Sequence, residues 1–293
     1  YYNYMPELPE VEVVKRSLTR KVQNLIIQKV NIKDSKLRYH VDKNKFRKIT
    51  GLRIKKIERK SKFLLFFLNK NFIMMVHLGM TGKFFFVDRK NTKLKTSFYY
   101  NIDYKKEQKY DRVEFILNKN QKLIYNDVRK FGFIKLLSNK KYKDNFHLKH
   151  LGPEPLKNTF NCTYFKNYIK GRSRVIKDIL MDQKFVSGLG NIYANEILFL
   201  SKVKPSRKVK NLKEFELKKI INFTKEVLKN AIELGGSSIK DFSSSNGKKG
   251  SFQQHFNVYG KKGAACSNTT CKSIIVKSSI SNRSTFFCNN CQK

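Results

Sequence analysis

Met5-Pro6-Glu7-Leu8-Pro9-Glu10-Val11-Glu12 sets three carboxylates and two prolines ahead of a basic stretch in which Val14, Leu18 and Val22 recur four apart. Proline in a first helical turn forfeits no hydrogen bond, and acids there face the positive end of the helix dipole. The run predicts an amphipathic helix over residues 9–23. Beyond it the texture changes. Residues 25–32, 52–59, 63–68, 72–78, 83–87, 112–117, 122–125 and 132–137 are short β-prone runs joined by Asn-, Lys- and Gly-containing turns. Their number and even spacing predict an antiparallel sandwich or barrel, with the polar segment 88–109 as an extended loop.

After Gly152-Pro153-Glu154-Pro155, a natural linker, helical periodicity takes over in residues 164–170, 175–183, 191–200 and 213–234. It is clearest in Leu217, Ile220, Ile221, Val227, Leu228 and Ala231, and Gly235-Gly236 stops the last helix. A Ser-, Gly- and Lys-rich loop, residues 237–251, leads to a cysteine module. The chain is therefore expected to be α+β in three parts: residues 6–140, 151–251 and 252–293.

Lys and Arg total 63 against 22 Asp and Glu, a formal net charge of +41. That is far more than solubility requires and points to a polyanion, with nucleic acid first. A coding bias toward AT explains Lys over Arg but not the shortage of acids. No Asp or Glu follows Asp241, so the tail is expected to face phosphate. No secretory signal is evident, and the most apolar stretch, 63–86, is cut by Asn69-Lys70-Asn71 into pieces of strand length. Neither export nor a membrane span is expected.

Four of the five cysteines cluster as Cys266-x4-Cys271 and Cys288-x2-Cys291. Two such pairs, with Ile274-Ile275-Val276 and Ser284-Thr285-Phe286-Phe287 between them, fit a tetrahedral four-thiolate zinc site closing a β-hairpin, a zinc ribbon. One structural zinc ion per chain is expected, from Cys266, Cys271, Cys288 and Cys291. Arg283 falls at the hairpin tip, where it is either a solvated turn residue or a contact to phosphate or minor groove.

Taken with other segments, the opening run resembles the formamidopyrimidine-DNA glycosylase family, whose mature chains begin Pro-Glu-Leu-Pro-Glu-Val-Glu. Those segments are Lys62-Phe63-Leu64-Leu65, His77-Leu78-Gly79-Met80-Thr81-Gly82, Leu151-Gly152-Pro153-Glu154-Pro155-Leu156 and Gly188-Leu189-Gly190-Asn191-Ile192-Tyr193-Ala194-Asn195-Glu196. Gly235-Gly236-Ser237-Ser238-Ile239-Lys240-Asp241-Phe242 and Arg283-Ser284-Thr285-Phe286-Phe287-Cys288 extend the match to the end.

The resemblance implies a catalytic N-terminal β-sandwich, a helix-two-turn-helix DNA-binding domain and the zinc ribbon, with damaged double-stranded DNA across a cleft. It implies a bifunctional glycosylase and abasic-site lyase for oxidised purines, 8-oxoguanine and formamidopyrimidines. Leu8 after Pro6-Glu7 favours that branch over the endonuclease VIII branch, which typically has Gly there. Pro6 matches the nucleophile that attacks C1′ and drives β,δ-elimination, and Glu7 the acid/base carboxylate. Lys62 matches a lysine at the phosphate beside the lesion, and Asn191 and Arg283 match phosphate-binding residues. Met80, Arg129 and Phe131 match the side chains filling the hole left by the extruded nucleotide; on its own pattern Met80 reads as a turn residue and Phe131 as core. Base recognition would run through 237–251.

The chain departs from the pattern in places. Tyr110 stands where the family has a DNA-contacting His. Ser173 stands at a commonly basic DNA contact, with Arg172, Arg174 and Lys177 as substitutes for the charge. Tyr1-Tyr2-Asn3-Tyr4 precede Met5, and as written they leave Pro6 in an ordinary amide. Either Met5 is the start and is removed, or the protein binds damaged or structured DNA without cutting it; the first is favoured because the rest of the catalytic set remains. A ribosome-associated ribbon protein would explain the charge and the cysteines but leaves Pro6-Glu7 and 188–196 without a role. A monomer is expected, in a bacterial cytoplasm at the nucleoid or in an organelle.

Overall fold

Val11, Val14, Leu18 and Val22, none more than 3% exposed, form the buried stripe of the first helix, α1 (Leu8–Val22). The computed structural model describes residues 5–87, 93–95, 108–237 and 252–293. Contacts divide the chain into two units, Tyr1–Lys149 with Gly235–Ser251, and His150–Leu234 with Phe252–Lys293.

In the first unit the β-prone runs become β1 (Ile27–Ile32), β2 (Ile54–Lys60), β3 (Phe63–Leu68), β4 (Phe72–His77), β5 (Lys83–Val87), β6 (Lys93–Lys95), β7 (Asp111–Leu117), β8 (Gln121–Asn126) and β9 (Phe133–Ser138). They make two antiparallel sheets, β1-β7-β8-β5-β6 and β2-β3-β4-β9. Alternation along the strands sends Leu64, Phe66 and Leu68 of one sheet, and Phe84, Phe86, Val113 and Phe115 of the other, into one core with the α1 stripe. The Phe66 and Phe84 rings meet across it at 5.9 Å. This is the expected sandwich. Two elements were not anticipated: β6, inside the segment expected to be loop, and α2 (Lys43–Arg47), capped by Asp42 Oδ1 on the amides of Asn44 and Lys45. The rest of 88–109 lies largely outside the described residues.

The second unit contains α3 (Cys162–Ile169), α4 (Ile176–Met181), α5 (Asn191–Leu200), α6 (Glu214–Glu233) and the hairpin β10 (Val276–Ile280) and β11 (Arg283–Phe287). Seven consecutive residues of α5, Ile192–Leu198, are at most 2% exposed, which makes it the central helix of the unit. The hairpin turns through Ser281 and Asn282, both left-handed at φ 48° and 57°, a two-residue loop that Asn suits. No helix among the described residues is long and apolar enough to cross a membrane.

Candidate active site and nucleic-acid interface

Pro6 is buried at the entrance to α1, and Glu7, 3% exposed, caps the helix in an extended conformation. The backbone N–H of Glu7 donates to Glu10 Oε2 at 2.9 Å. Glu10 Oε1 in turn accepts from the backbone N–H and hydroxyl of Ser237 at 2.8 and 2.9 Å. One buried carboxylate thus joins the turn that enters α1 to the first residue of the 237–251 loop; the remainder of that loop lies outside the described residues.

Lys62 lies in the β2–β3 turn, which α1 holds in place. Arg59 Nε donates to Glu12 Oε2 at 3.0 Å while its Nη1 donates to the carbonyl of Ser61 at 2.9 Å. Burial pulls Glu12 upward, but Arg59 and Lys15 outweigh it and keep the carboxyl ionised below its usual range. Burial pushes the Lys62 amine below its ordinary proton affinity, and the charges of Glu7 and Glu10 restore part of it. The structure therefore brings Pro6, Glu7 and Lys62 to one end of α1.

His77 joins this group, although nothing in its sequence context marks it beyond its place before Leu78-Gly79-Met80. Burial, then Lys62 and Arg38, push its imidazole down to about 3. The N–H of Gly79 donates to His77 Nδ1 at 3.0 Å, so the ring is neutral with its proton on Nε2.

Met80, Arg129 and Phe131 sit on two loops of the first unit bound together through Asp127, which is fully buried. Asp127 Oδ1 accepts from the Thr81 hydroxyl, and Oδ2 from the N–H of Gly132 at 2.9 Å. The Arg129 N–H donates to Thr81 Oγ1 at 3.0 Å. The backbones touch at Gly79, where a Cβ would lie 2.4 Å from the nitrogen of Gly132 and where φ is +62°. Phe131 is not core: it is 46% exposed, with the Arg129 guanidinium 4.5 Å from its ring centre. It follows Arg129 and Lys130 on the loop and stays in solvent with Arg129. Tyr110 is half-buried, 5.1 Å from the Lys109 amine, and its carbonyl accepts the N–H of Asp127 at 3.0 Å.

In the second unit Asn191 is the first residue of α5. Its Nδ2 donates to the carbonyl of Ser284 at 3.0 Å, and its Oδ1 is buried with no partner. The hairpin is pinned to the helices by Asn195 Oδ1, which accepts from the N–H of Phe286 at 2.8 Å. Lys177 adds Nζ bonds to Thr285 Oγ1 at 2.6 Å and the Ser284 carbonyl at 3.2 Å. Lys177 is fully buried, so it does not substitute for the charge missing at Ser173. Arg174 is engaged with Asp182 at 2.8 Å. Arg283 is exposed beside the hairpin turn. The sulfurs of Cys266, Cys271, Cys288 and Cys291 all lie within 4.8 Å of one another and can hold a metal ion.

The family profile of the formamidopyrimidine-DNA glycosylase N-terminal domain matches residues 5–134, and that of the formamidopyrimidine-DNA glycosylase H2TH domain matches residues 151–243. A formamidopyrimidine-DNA glycosylase of Rickettsia bellii is 39% identical over 289 residues, covering 99% of this chain and all of the relative. One from Roseobacter denitrificans is 36% identical, again over 99% of this chain and all of its own. Among solved structures, Lactococcus lactis Fpg in complex with an abasic-site DNA superimposes with a TM-score of 0.84 at 33% identity, covering 98% of this chain and 99% of its own. Full-length similarity, two matched domains and a shared fold agree: the chain belongs to the formamidopyrimidine-DNA glycosylase family.

Proposed function

We propose that the chain excises oxidised purines, 8-oxoguanine and formamidopyrimidines, from duplex DNA and then cuts the strand at the abasic site. The observation that carries this reading is the arrangement of Pro6, Glu7 and Lys62 at one end of α1. A free N-terminal amine has a pKa of roughly 8, so an appreciable fraction is unprotonated near neutral pH. The Pro6 nitrogen attacks C1′ of the extruded nucleotide, and the damaged base leaves with the electrons of the glycosidic bond. Glu7 protonates the sugar ring oxygen as the ring opens. A secondary amine yields a charged iminium, which accepts the electrons of the C2′–H bond as that proton leaves; the enamine so formed returns them to expel the 3′ phosphate, which departs with the C3′–O bonding pair. Lys62 meets the phosphate beside the lesion.

Met80, Arg129 and Phe131 occupy the vacated space in the duplex, Arg129 toward the orphan base and Phe131 as the exposed wedge, with Tyr110 nearby as a further contact. Asn191 and Arg283 bind phosphate. The unpartnered Oδ1 of Asn191 marks it as a side chain with spare polar capacity. We assign these tasks to residues 6–140, 151–251 and 252–293, in a monomer that works at the bacterial nucleoid or in an organelle.

Cys266, Cys271, Cys288 and Cys291 hold one structural zinc ion. Sulfurs 3.8 Å apart in Cys266 and Cys291, and 3.7 Å apart in Cys271 and Cys288, match the edge of a tetrahedron with Zn–S bonds of about 2.3 Å. The ion supplies the cross-link that keeps the ribbon folded.

The test is incubation of a chain beginning at Pro6 with 8-oxoguanine duplex and borohydride, which reduces the iminium to a stable amine. A covalent protein–DNA adduct is expected. No adduct with any oxidised-purine duplex would overturn the proposal. A mutant of the L. lactis protein has been crystallised with a Fapy-dG DNA and the wild type with an oxidised-pyrimidine DNA, so both lesions belong beside 8-oxoguanine in the substrate panel.

A further inference from the structure

The outer face of the β2-β3-β4-β9 sheet carries a cluster that the reaction above does not use. Phe63 and Phe133, 9% and 2% exposed, form its floor. The His77 ring stacks on Phe133 at 5.6 Å, and the His147 ring lies 4.9 Å from Phe133. Tyr39 packs edge-on against Phe133 at 5.1 Å. Lys135 Nζ is 3.5 Å from the centre of the Tyr39 ring and 3.4 Å from His147 Nε2. Arg38 is exposed at the rim, and its charge reaches both imidazoles.

Three cations, Arg38, Lys62 and Lys135, thus surround two imidazoles on an aromatic floor. Among the described residues no carboxylate forms an ion pair with any of the five. Some cations elsewhere in the unit do have one, Arg59 with Glu12, and Arg112 and Lys130 with Asp34. Burial lowers the proton affinity of Lys135, and burial with the Lys135 charge lowers that of His147. Like charges gathered and partly desolvated cost folding energy, and a bound anion would offset that cost. Phe146, 74% exposed and 5.5 Å from the His147 ring, adds an uncovered aromatic face to the cations, the combination nucleic-acid strands use.

We propose that Arg38, Lys135 and His147, over the Phe63–Phe133 floor with Tyr39, form a further phosphate-binding subsite that continues from Lys62 and His77 along the bound strand. The subsite takes a phosphodiester beyond the one beside the lesion. It rests on the DNA-glycosylase reading for the direction in which the strand arrives. Neither Lys135 nor His147 touches the reacting atoms, so the subsite adds affinity and register.

The experiment measures affinity for a duplex carrying an abasic-site analogue from 50 to 300 mM salt, for the wild type, Lys135→Met with His147→Gln, and Arg38→Gln. Each neutralised phosphate contributes about 0.9 to the slope of log affinity against log salt. Both variants are expected to lower that slope by roughly one and to bind about five- to tenfold more weakly at the low-salt end. Arg38 is exposed, so its variant reports even if the double variant is poorly folded. Unchanged slopes in both variants would overturn the subsite. Borohydride trapping on the same proteins separates the two readings. Trapping with unchanged slopes removes the subsite alone, whereas altered slopes without trapping in the wild type remove the glycosylase reading and leave a phosphate subsite.

Discussion

The N-terminal end of α1 and the C-terminal ribbon hold their candidate functional side chains by opposite means. At that end Glu7 and Glu10 are buried carboxylates, and Glu10 accepts the backbone N–H of Ser237, distant in sequence; between the two loops, buried Asp127 likewise accepts the Thr81 hydroxyl and the Gly132 N–H. Behind them lies a sandwich core that needs no cross-link. In the ribbon, the three central residues of β10 are exposed, and only Thr285, Phe286 and Phe287 of β11 are buried. So small a hairpin leans on its four sulfurs and on the helices beneath it. A site built on buried hydrogen bonds is predicted to respond to side-chain chemistry, and one built on sulfur to metal and redox state.

The largest effect expected is at Pro6. With Tyr1 to Met5 attached its nitrogen is an amide, and borohydride trapping should be abolished, while the chain starting at Pro6 should trap fully. Equal trapping by both would move the nucleophile to a lysine such as Lys62. Glu7→Gln keeps the nucleophile and removes the proton relay, so single-turnover base excision should fall on the order of 10²- to 10⁴-fold while DNA binding persists.

Chelation tests the other side of the comparison. Removing metal should unfold residues 266–291 and weaken lesion-DNA binding at least tenfold (an order-of-magnitude expectation), while the sandwich keeps its far-ultraviolet β signal. Full DNA affinity in a metal-free, folded protein would mean the ribbon does not need its ion.

Gly79→Ala forces a Cβ against the Gly132 backbone at a left-handed φ and should cost about 2–4 kcal/mol in chemical denaturation. Gly171→Ala is the control: that φ is also left-handed, at +72°, but nothing lies within 4 Å, so about 1 kcal/mol is expected. Similar losses at both would deny that the two loops are locked together.

The smallest effect concerns pH. His77 titrates near 3 when folded against about 6.5 when unfolded, so the unfolded state binds more protons in between. Its contribution is fully present above pH 6.5 and is lost as pH falls toward 3. His77→Gln should therefore flatten the decline of stability with acid over that window, without changing stability's pH dependence above pH 7.

Much of this was legible beforehand because the chain obeys simple periods. Residues 63–68, 83–87 and 191–200 have the same bounds in sequence and structure: the first two are short Phe- and Leu- or Val-rich runs between polar or glycine residues, and the third starts after Gly190 and ends before the Ser201-Lys202 turn. The helix Lys43–Arg47 escaped because five mostly polar residues carry no period. Lys93–Lys95 is a three-residue strand at a sheet edge. Phe131 was misjudged as core on composition, and only its family match indicated exposure. Lys177 shows the reverse: a lysine in a basic chain gives no hint that it is buried to hold Ser284 and Thr285. A better signal was the scarcity of acids. In a chain with 22 carboxylates against 63 bases, each Asp or Glu invites explanation, and Glu10, Asp127 and Glu196 all prove to be buried acceptors of backbone N–H groups.

The backbone contact between Gly79 and Gly132 also shapes how this protein can evolve. Two loops that touch through atoms without side chains cannot gain or lose residues independently, because an insertion in either would lift its tip off the other. The tips themselves, Met80, Arg129 and Phe131, are free of that constraint. Descendants of this sequence can therefore exchange single side chains at these tips more readily than they can change the length of either loop.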